Sequence, residues 1–186
     1  MKNKTVKEKE QEAFEKLKGL FDYKNKMAAP RMKKIVLNTG TGTAIKKDKN
    51  KNEAITERLA KITGQKPSLR GSKQSVASFK VRQGDPIGVI ATLRGARMYA
   101  FLEKLINVAL PRTKDFRGIN PKAVDNIGNL TIGIKEHTIF PETADEDIKD
   151  VFGLAVTLVS TAKNQKEGKA FFELLGIPFK KEKAKK

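Results

Sequence analysis

The chain has no cysteine, no tryptophan, two tyrosines and one histidine among its 186 residues. Without cysteine there can be no disulfide and no thiolate-held zinc or iron–sulfur centre. With His137 alone, a multi-histidine metal site is excluded as well, so no metal and no cofactor is expected. The shortage of Trp and Tyr argues against a broad aromatic stacking platform, and most of the ten Phe fall at core-like positions. No apolar run approaches the roughly 18 residues of a spanning helix. Residues 1–18 are mostly charged or polar, so neither a membrane span nor an apolar signal segment is expected.

Acidic residues are also scarce relative to basic ones. There are 21 Asp and Glu against 39 Lys and Arg, a net charge of +18. Self-repulsion of this size opposes a compact fold. It makes physical sense when the usual partner is a polyanion, because binding then releases condensed counterions. The length suits one domain with extended ends.

Residues 1–13 read as a polar N-terminal extension. Phe14, Leu17, Leu20 and Phe21 recur at helical spacing, and Pro30 stops any continuation. Over 32–39, Ile35 and Leu37 alternate with Lys34, Val36 and Asn38, which predicts a strand with one polar face. A helix is expected over 51–63, with Ile55, Leu59 and Ile62 on one side and Gly64 as its stop. Strands follow near the start of 66–86 and over 87–94. Met98 to Ala109 form the clearest helix, with Pro111 just past its end. Leu130, Ile132 and Ile134 alternate as a strand, as do Leu154, Val156 and Leu158. A short helix is expected over 165–175 and a basic disordered tail over 180–186. The pattern predicts one α+β domain over 14–179, with a largely antiparallel sheet and helices packed on one face.

Three motifs carry less than they suggest. Gly40-Thr41-Gly42 follows a strand, but Ile45 stands where a dinucleotide loop needs its third Gly. His137 has only Glu136 beside it, and neighbours on a strand point to opposite faces. Glu142, Asp145, Glu146, Asp147 and Asp150 lack the spacing and glycine of a Ca²⁺ loop, so a solvated acidic turn is expected.

Region 66–97 says more. Lys66, Arg70, Lys73, Lys80, Arg82, Arg94 and Arg97 stand there with one acid, Asp85. Serines and glycines between them offer small hydrogen-bonding groups and close backbone approach, as phosphate and sugar contacts require. An ordinary solvated basic loop is the alternative, although such loops usually mix both signs. Phe79 has two readings, a base-stacking ring or an anchor to the core, and the scarcity of other stacking faces favours the anchor.

The run Leu59-Ala60-Lys61-Ile62-Thr63-Gly64-Gln65-Lys66-Pro67, followed by Ser72-Lys73-Gln74-Ser75-Val76-Ala77-Ser78-Phe79-Lys80-Val81-Arg82-Gln83-Gly84, resembles the bacterial family of large-subunit ribosomal protein five. Pro30-Arg31, Leu37-Asn38, Thr92-Leu93-Arg94-Gly95, Leu110-Pro111-Arg112, Asp115-Phe116-Arg117-Gly118 and Ile139-Phe140-Pro141-Glu142 follow in the family's order over residues 14–179. Ser68, Arg70, Asp85 and Ala96 depart from the usual pattern.

The resemblance implies a cytoplasmic, ribosome-bound protein that holds 5S rRNA in the central protuberance, beside large-subunit rRNA. It also implies contacts to peptidyl-site tRNA and to small-subunit ribosomal protein thirteen. It would place Lys34, Asn38, Gln65, Thr92 and Arg94 against 5S rRNA. Ser72, Lys73, Ser75, Lys80 and Arg82 would belong to a tRNA-contacting loop. Arg112, Asp115, Phe116 and Arg117 would lie at the subunit bridge. Capping of local backbone remains the other reading of Asn38 and Gln65. Two other functions stay open on composition alone. An RNA-modifying enzyme would need a cofactor loop or a pocketed acid–base pair, and neither is found. A basic membrane-surface or DNA-compacting protein would not need the ordered Gly- and Ser-rich segment.

Overall fold

Alternation decides the sheet. Strand β1 (Met32–Gly40) buries Ile35, Leu37 and Thr39, while Lys34, Val36, Asn38 and Gly40 stay partly or fully exposed. The computed structural model describes residues 4–42, 51–144 and 151–180. Along the chain follow α1 (Val6–Gln11), α2 (Ala13–Phe21), β1, α3 (Lys51–Thr63), β2 (Ser68–Gly71), β3 (Pro86–Leu93) and α4 (Gly95–Lys104), then β4 (Leu130–Ile134), β5 (Leu154–Ser160) and α5 (Gln165–Leu175). The strands form one five-stranded antiparallel sheet in the order β2-β3-β1-β5-β4. On β3, Val89, Ala91 and Leu93 are buried and Ile90 and Thr92 half-exposed; β4 and β5 alternate in the same way. One face of these strands therefore supplies core and the other meets solvent. The α+β class read from the sequence is the class observed.

The chain divides into two compact units. The first comprises residues 1–35, 94–132 and 157–186. Its N-terminal segment, expected as a polar extension, folds from Val6 onward. Thr5 accepts from Glu8 N–H and the Glu8 carboxylate accepts from Thr5 N–H, a reciprocal cap that satisfies two otherwise orphaned donors. Val6, Ala13 and Leu17 are buried. Leu20, expected on the same covered stripe, is 71% exposed, and the left-handed Asp22 ends the helix just beyond it. α1 and α2 pack against α5, where Phe171, Phe172 and Leu175 are fully enclosed. Each such side chain stabilises the fold by about 1.5–3 kcal/mol through its removal from water.

α5 begins with Asn164 accepting from Glu167 N–H at 2.9 Å and ends at Gly176, whose φ is +102°. The buried Glu167 carboxylate accepts from the Tyr23 hydroxyl and, on its other oxygen, from Lys163 N–H at 2.7 Å. Burial, and then the Glu167 carboxylate, raise the Tyr23 hydroxyl well above its ordinary pKa. Position 168 must lack a side chain, since a Cβ on Gly168 would come within 2.7 Å of Gly128 Cα.

Pro111 does not follow the long helix as expected but lies in its last turn. α4 continues through a π-helical turn, Leu105–Ala109, into a final α turn, Leu110–Arg112. The wider turn shifts hydrogen bonding by one residue, so that Leu110 N–H reaches Leu105 O. Pro111, which has no N–H to donate, follows directly. The expected basic tail is held at its start, where Ile119 N–H donates to Pro178 O and Lys180 N–H to Ile119 O, both at 2.8 Å. Residues 181–186 lie outside the described residues.

The second unit comprises residues 36–93 and 133–156. α3 spans the expected 51–63 and buries Ile55, Leu59 and Ile62; Gly64, with φ +64°, closes it through a bond to Ala60 O at 2.8 Å. His137 is fully buried, stacked on Phe152 with ring centroids 4.1 Å apart, and its Nδ1 accepts from Phe152 N–H. That role is structural. Glu142 is exposed in a short turn whose Thr143 is buried, and the acids at 145–150 lie outside the described residues.

Candidate nucleic-acid interface

Three of the five residues expected to meet 5S rRNA lie in the second unit. Asn38 is exposed on the polar face of β1, and its side chain makes no hydrogen bond among the described residues. Beside it on β3 stands Gly88, where a Cβ would lie 3.3 Å from Thr39 O and 4.0 Å from Asn38 Oδ1. A larger residue at 88 would crowd Asn38. Gln65, just after α3, donates from Nε2 to the Thr92 carbonyl at 3.1 Å. The backbone-capping reading therefore fits the amide nitrogen of Gln65 and does not fit Asn38. Thr92 is half-exposed on β3.

The other two belong to the first unit. Lys34 is half-exposed and shares the polar face of β1 with Asn38. Arg94 is exposed at the residue preceding α4, and Gly95 beyond it has φ +59°. Sequence reasoning missed a hydroxyl pair on the exposed faces of β4 and β5 in this unit, Thr131 Oγ1 and Thr157 Oγ1, 3.2 Å apart. The signal was present, since both fall at the polar positions of alternating strands.

Residues 72–85 extend the β2–β3 pair as a closed hairpin. Ser72 N–H donates to Asp85 O and Gly84 N–H to Ser72 O, and Val76 and Val81 exchange two backbone bonds of 2.9 and 3.3 Å. Ser75 Oγ accepts from Gln83 N–H at 3.0 Å, and the Asp85 carboxylate accepts from Arg82 N–H at 2.7 Å. Asp85, the lone acid of the segment, thus locks the base of the hairpin. Lys73, Ser75, Lys80 and Arg82 are exposed and Ser72 is half-exposed. Phe79 is 67% exposed in the turn at the tip, which overturns its reading as a core anchor. The hairpin projects beyond the strands, so no core exists there for the ring to enter.

In the first unit, Arg112, Asp115 and Arg117 are exposed and Phe116 is half-buried. Asp115 has φ +54°, and Gly118, at φ +93°, lies so close to Phe179 and Lys180 that a Cβ would come within 2.7 Å of Lys180 N. Among the described residues no cluster of His, Asp and Glu could hold a metal, and no helix is long and apolar enough to cross a membrane.

The family of ribosomal protein L5 matches residues 25–82, and the C-terminus of that ribosomal protein family matches residues 86–179. The chain belongs to the ribosomal protein L5 family. It is 54% identical to the large ribosomal subunit protein uL5 of Desulfatibacillum aliphaticivorans, over 89% of this chain and 92% of that one. The protein of the same name from Trichlorobacter lovleyi is 50% identical over 91% and 94%, and that from Leuconostoc citreum 47% over 97% and 98%. Membership of this family makes the chain a structural, ribosome-bound constituent of the large subunit in the cytoplasm, and not an enzyme.

Proposed function

We propose that the chain binds 5S rRNA through Asn38, Gln65 and Thr92 of the second unit and Lys34 and Arg94 of the first, within an RNA-binding body spanning residues 14–179. The observation that carries this reading is Asn38: an exposed amide with a donor and an acceptor, neither used by the fold, set on a rigid strand. Such a group reads a ribose hydroxyl or a base edge. The hairpin 72–85 contacts peptidyl-site tRNA through Lys73, Lys80 and Arg82. The segment Arg112 to Arg117 faces small-subunit ribosomal protein thirteen.

Charge supports the first part. With +18 overall, affinity for any RNA contains a counterion-release term, which falls by about 0.7–0.9 in log K per phosphate contact for each log unit of salt. Specific recognition is what remains at high salt. The test is binding of 5S rRNA against an unrelated RNA of equal length across a salt series. A preference for 5S rRNA that persists as salt rises supports the reading; equal affinities at every salt concentration refute it.

A further inference from the structure

Helix α3 and strand β2 frame a groove of about 620 Å³ whose charge opposes that of the rest of the chain. Its walls include Asn52, Glu53, Glu57, Ala60, Gln65, Lys66 and Leu69. Glu53 and Glu57 stand one helical turn apart, both exposed, and neither makes an ion pair among the described residues. Leu69 is 52% exposed, an apolar side chain left in water by the fold. Asn52 is only 6% exposed; its Nδ2 donates to Pro86 O at 3.4 Å, while its Oδ1 has no donor among the described residues. β2 is an edge strand of the sheet, and all four of its residues are exposed.

These features select the occupant. Two carboxylates repel a phosphate backbone, so the α3 wall of this groove, away from Gln65 at its end, disfavours RNA. Two acids against one lysine leave it one negative charge, enough for a single cation rather than a polybasic patch. The orphaned Asn52 oxygen and both carboxylates are acceptors, so the ligand must donate hydrogen bonds. Leu69 and Ala60 require an aliphatic stem. An arginine side chain meets all three requirements, with its apolar stem and its fork of donors. The free edge of β2 offers main-chain hydrogen bonds to an extended segment on either side of that arginine.

We propose that the α3–β2 groove is a docking site for an extended, arginine-bearing segment of a neighbouring protein of the large subunit. The guanidinium lies between Glu53 and Glu57, its stem covers Leu69, and the segment's backbone continues the sheet at β2. The groove shares Gln65 with the proposed RNA site, but the residues that carry this inference, Glu53, Glu57 and Leu69, are not among those assigned to RNA.

Two experiments test it on the full chain. The first titrates ¹⁵N-labelled protein with the peptide Val-Arg-Val-Arg-Val and follows amide shifts. Shifts should concentrate over residues 52–71. Glu53→Gln with Glu57→Gln should weaken binding by about tenfold, since each exposed pair contributes modestly. Leu69→Lys should weaken it comparably, and 5S rRNA affinity should not fall in any of these variants. Equal peptide affinity in the variants, or shifts centred elsewhere, overturns the proposal. The second places p-benzoylphenylalanine at position 69, assembles the protein into ribosomes and irradiates them. A cross-link mapped by mass spectrometry to an arginine-bearing segment of another ribosomal protein supports the site. A cross-link to RNA, one to a second copy of this chain, or no cross-link in assembled particles refutes it.

Discussion

Gln65 donates its side-chain N–H to the main-chain carbonyl of Thr92, and so ties the end of α3 to β3 within one unit. Asn38, on the neighbouring strand, makes no such bond. The two amides, equivalent in chemistry, should therefore respond differently to truncation. Asn38→Ala is expected to lower 5S rRNA affinity by about 1–3 kcal/mol, the range for loss of a good polar contact, with an unchanged unfolding midpoint. Gln65→Ala is expected to lower both affinity and midpoint. Filter binding and thermal denaturation of the two variants check this. An Asn38→Ala protein that loses stability in step with binding would assign Asn38 to the scaffold.

The hairpin should act on tRNA alone. Changing Lys73, Lys80 and Arg82 together to Ala should leave 5S rRNA binding and subunit assembly near normal and reduce retention of peptidyl-site tRNA on assembled ribosomes. Phe79→Ala should do the same without a change in salt slope, because an exposed ring contributes stacking and no charge. Normal tRNA retention in both variants would remove the hairpin from this role.

Gly168→Ala should destabilise the fold by about 1–3 kcal/mol, the usual cost of forcing a methyl group into a filled space. The clash is with the backbone of Gly128, which cannot rotate away. Urea denaturation measures it. Gly133→Ala, where a Cβ meets nothing within 4 Å, is the matched control.

Glu10 supplies a pH test. Burial raises its pKa above the ordinary carboxylate value, against the lowering effects of the Tyr99 hydroxyl and Met32 N–H. Tyr99 is pushed up to about 12, by burial first and then by Glu10. A carboxyl with a raised folded pKa holds its proton more tightly in the native state, so its contribution to stability falls as pH rises from its unfolded value through its folded one. Glu10→Gln removes the cost of the buried charge. The variant should melt higher than the parent at pH 7, and the gap should close as pH drops below the unfolded glutamate value of about 4.3. A gap that widens on acidification would reverse the sign of the argument.

Much of this was legible in the sequence for a definite reason. Alternation at Ile35, Leu37, Leu154 and Val156 sets which strand face is wet, and Gly64 sets where α3 stops. α1 was also readable, since Thr5 and Glu8 carry the spacing of a reciprocal helix cap ahead of Val6. The density of charge over residues 1–13 masked it. The π-helical turn before Pro111 had no local signal. Nor did the exposure of Phe79, because a ring's fate depends on whether a core lies within reach, and reach is a property of the hairpin. The Gln65–Thr92 bond spans 27 positions, too far for any local pattern to announce.

The first unit is assembled from the beginning, the middle and the end of the chain. α1 and α2 are made before α5, a helix that covers them, by about 150 residues. At typical synthesis rates that interval is roughly 8–30 s. Throughout it, Val6, Ala13 and Leu17 have no native partner in α5, so every molecule of this protein passes through a stage at which the α5-facing apolar surface of α1 and α2 is uncovered. The rate of translation between α2 and α5 therefore sets how long that surface waits for its cover.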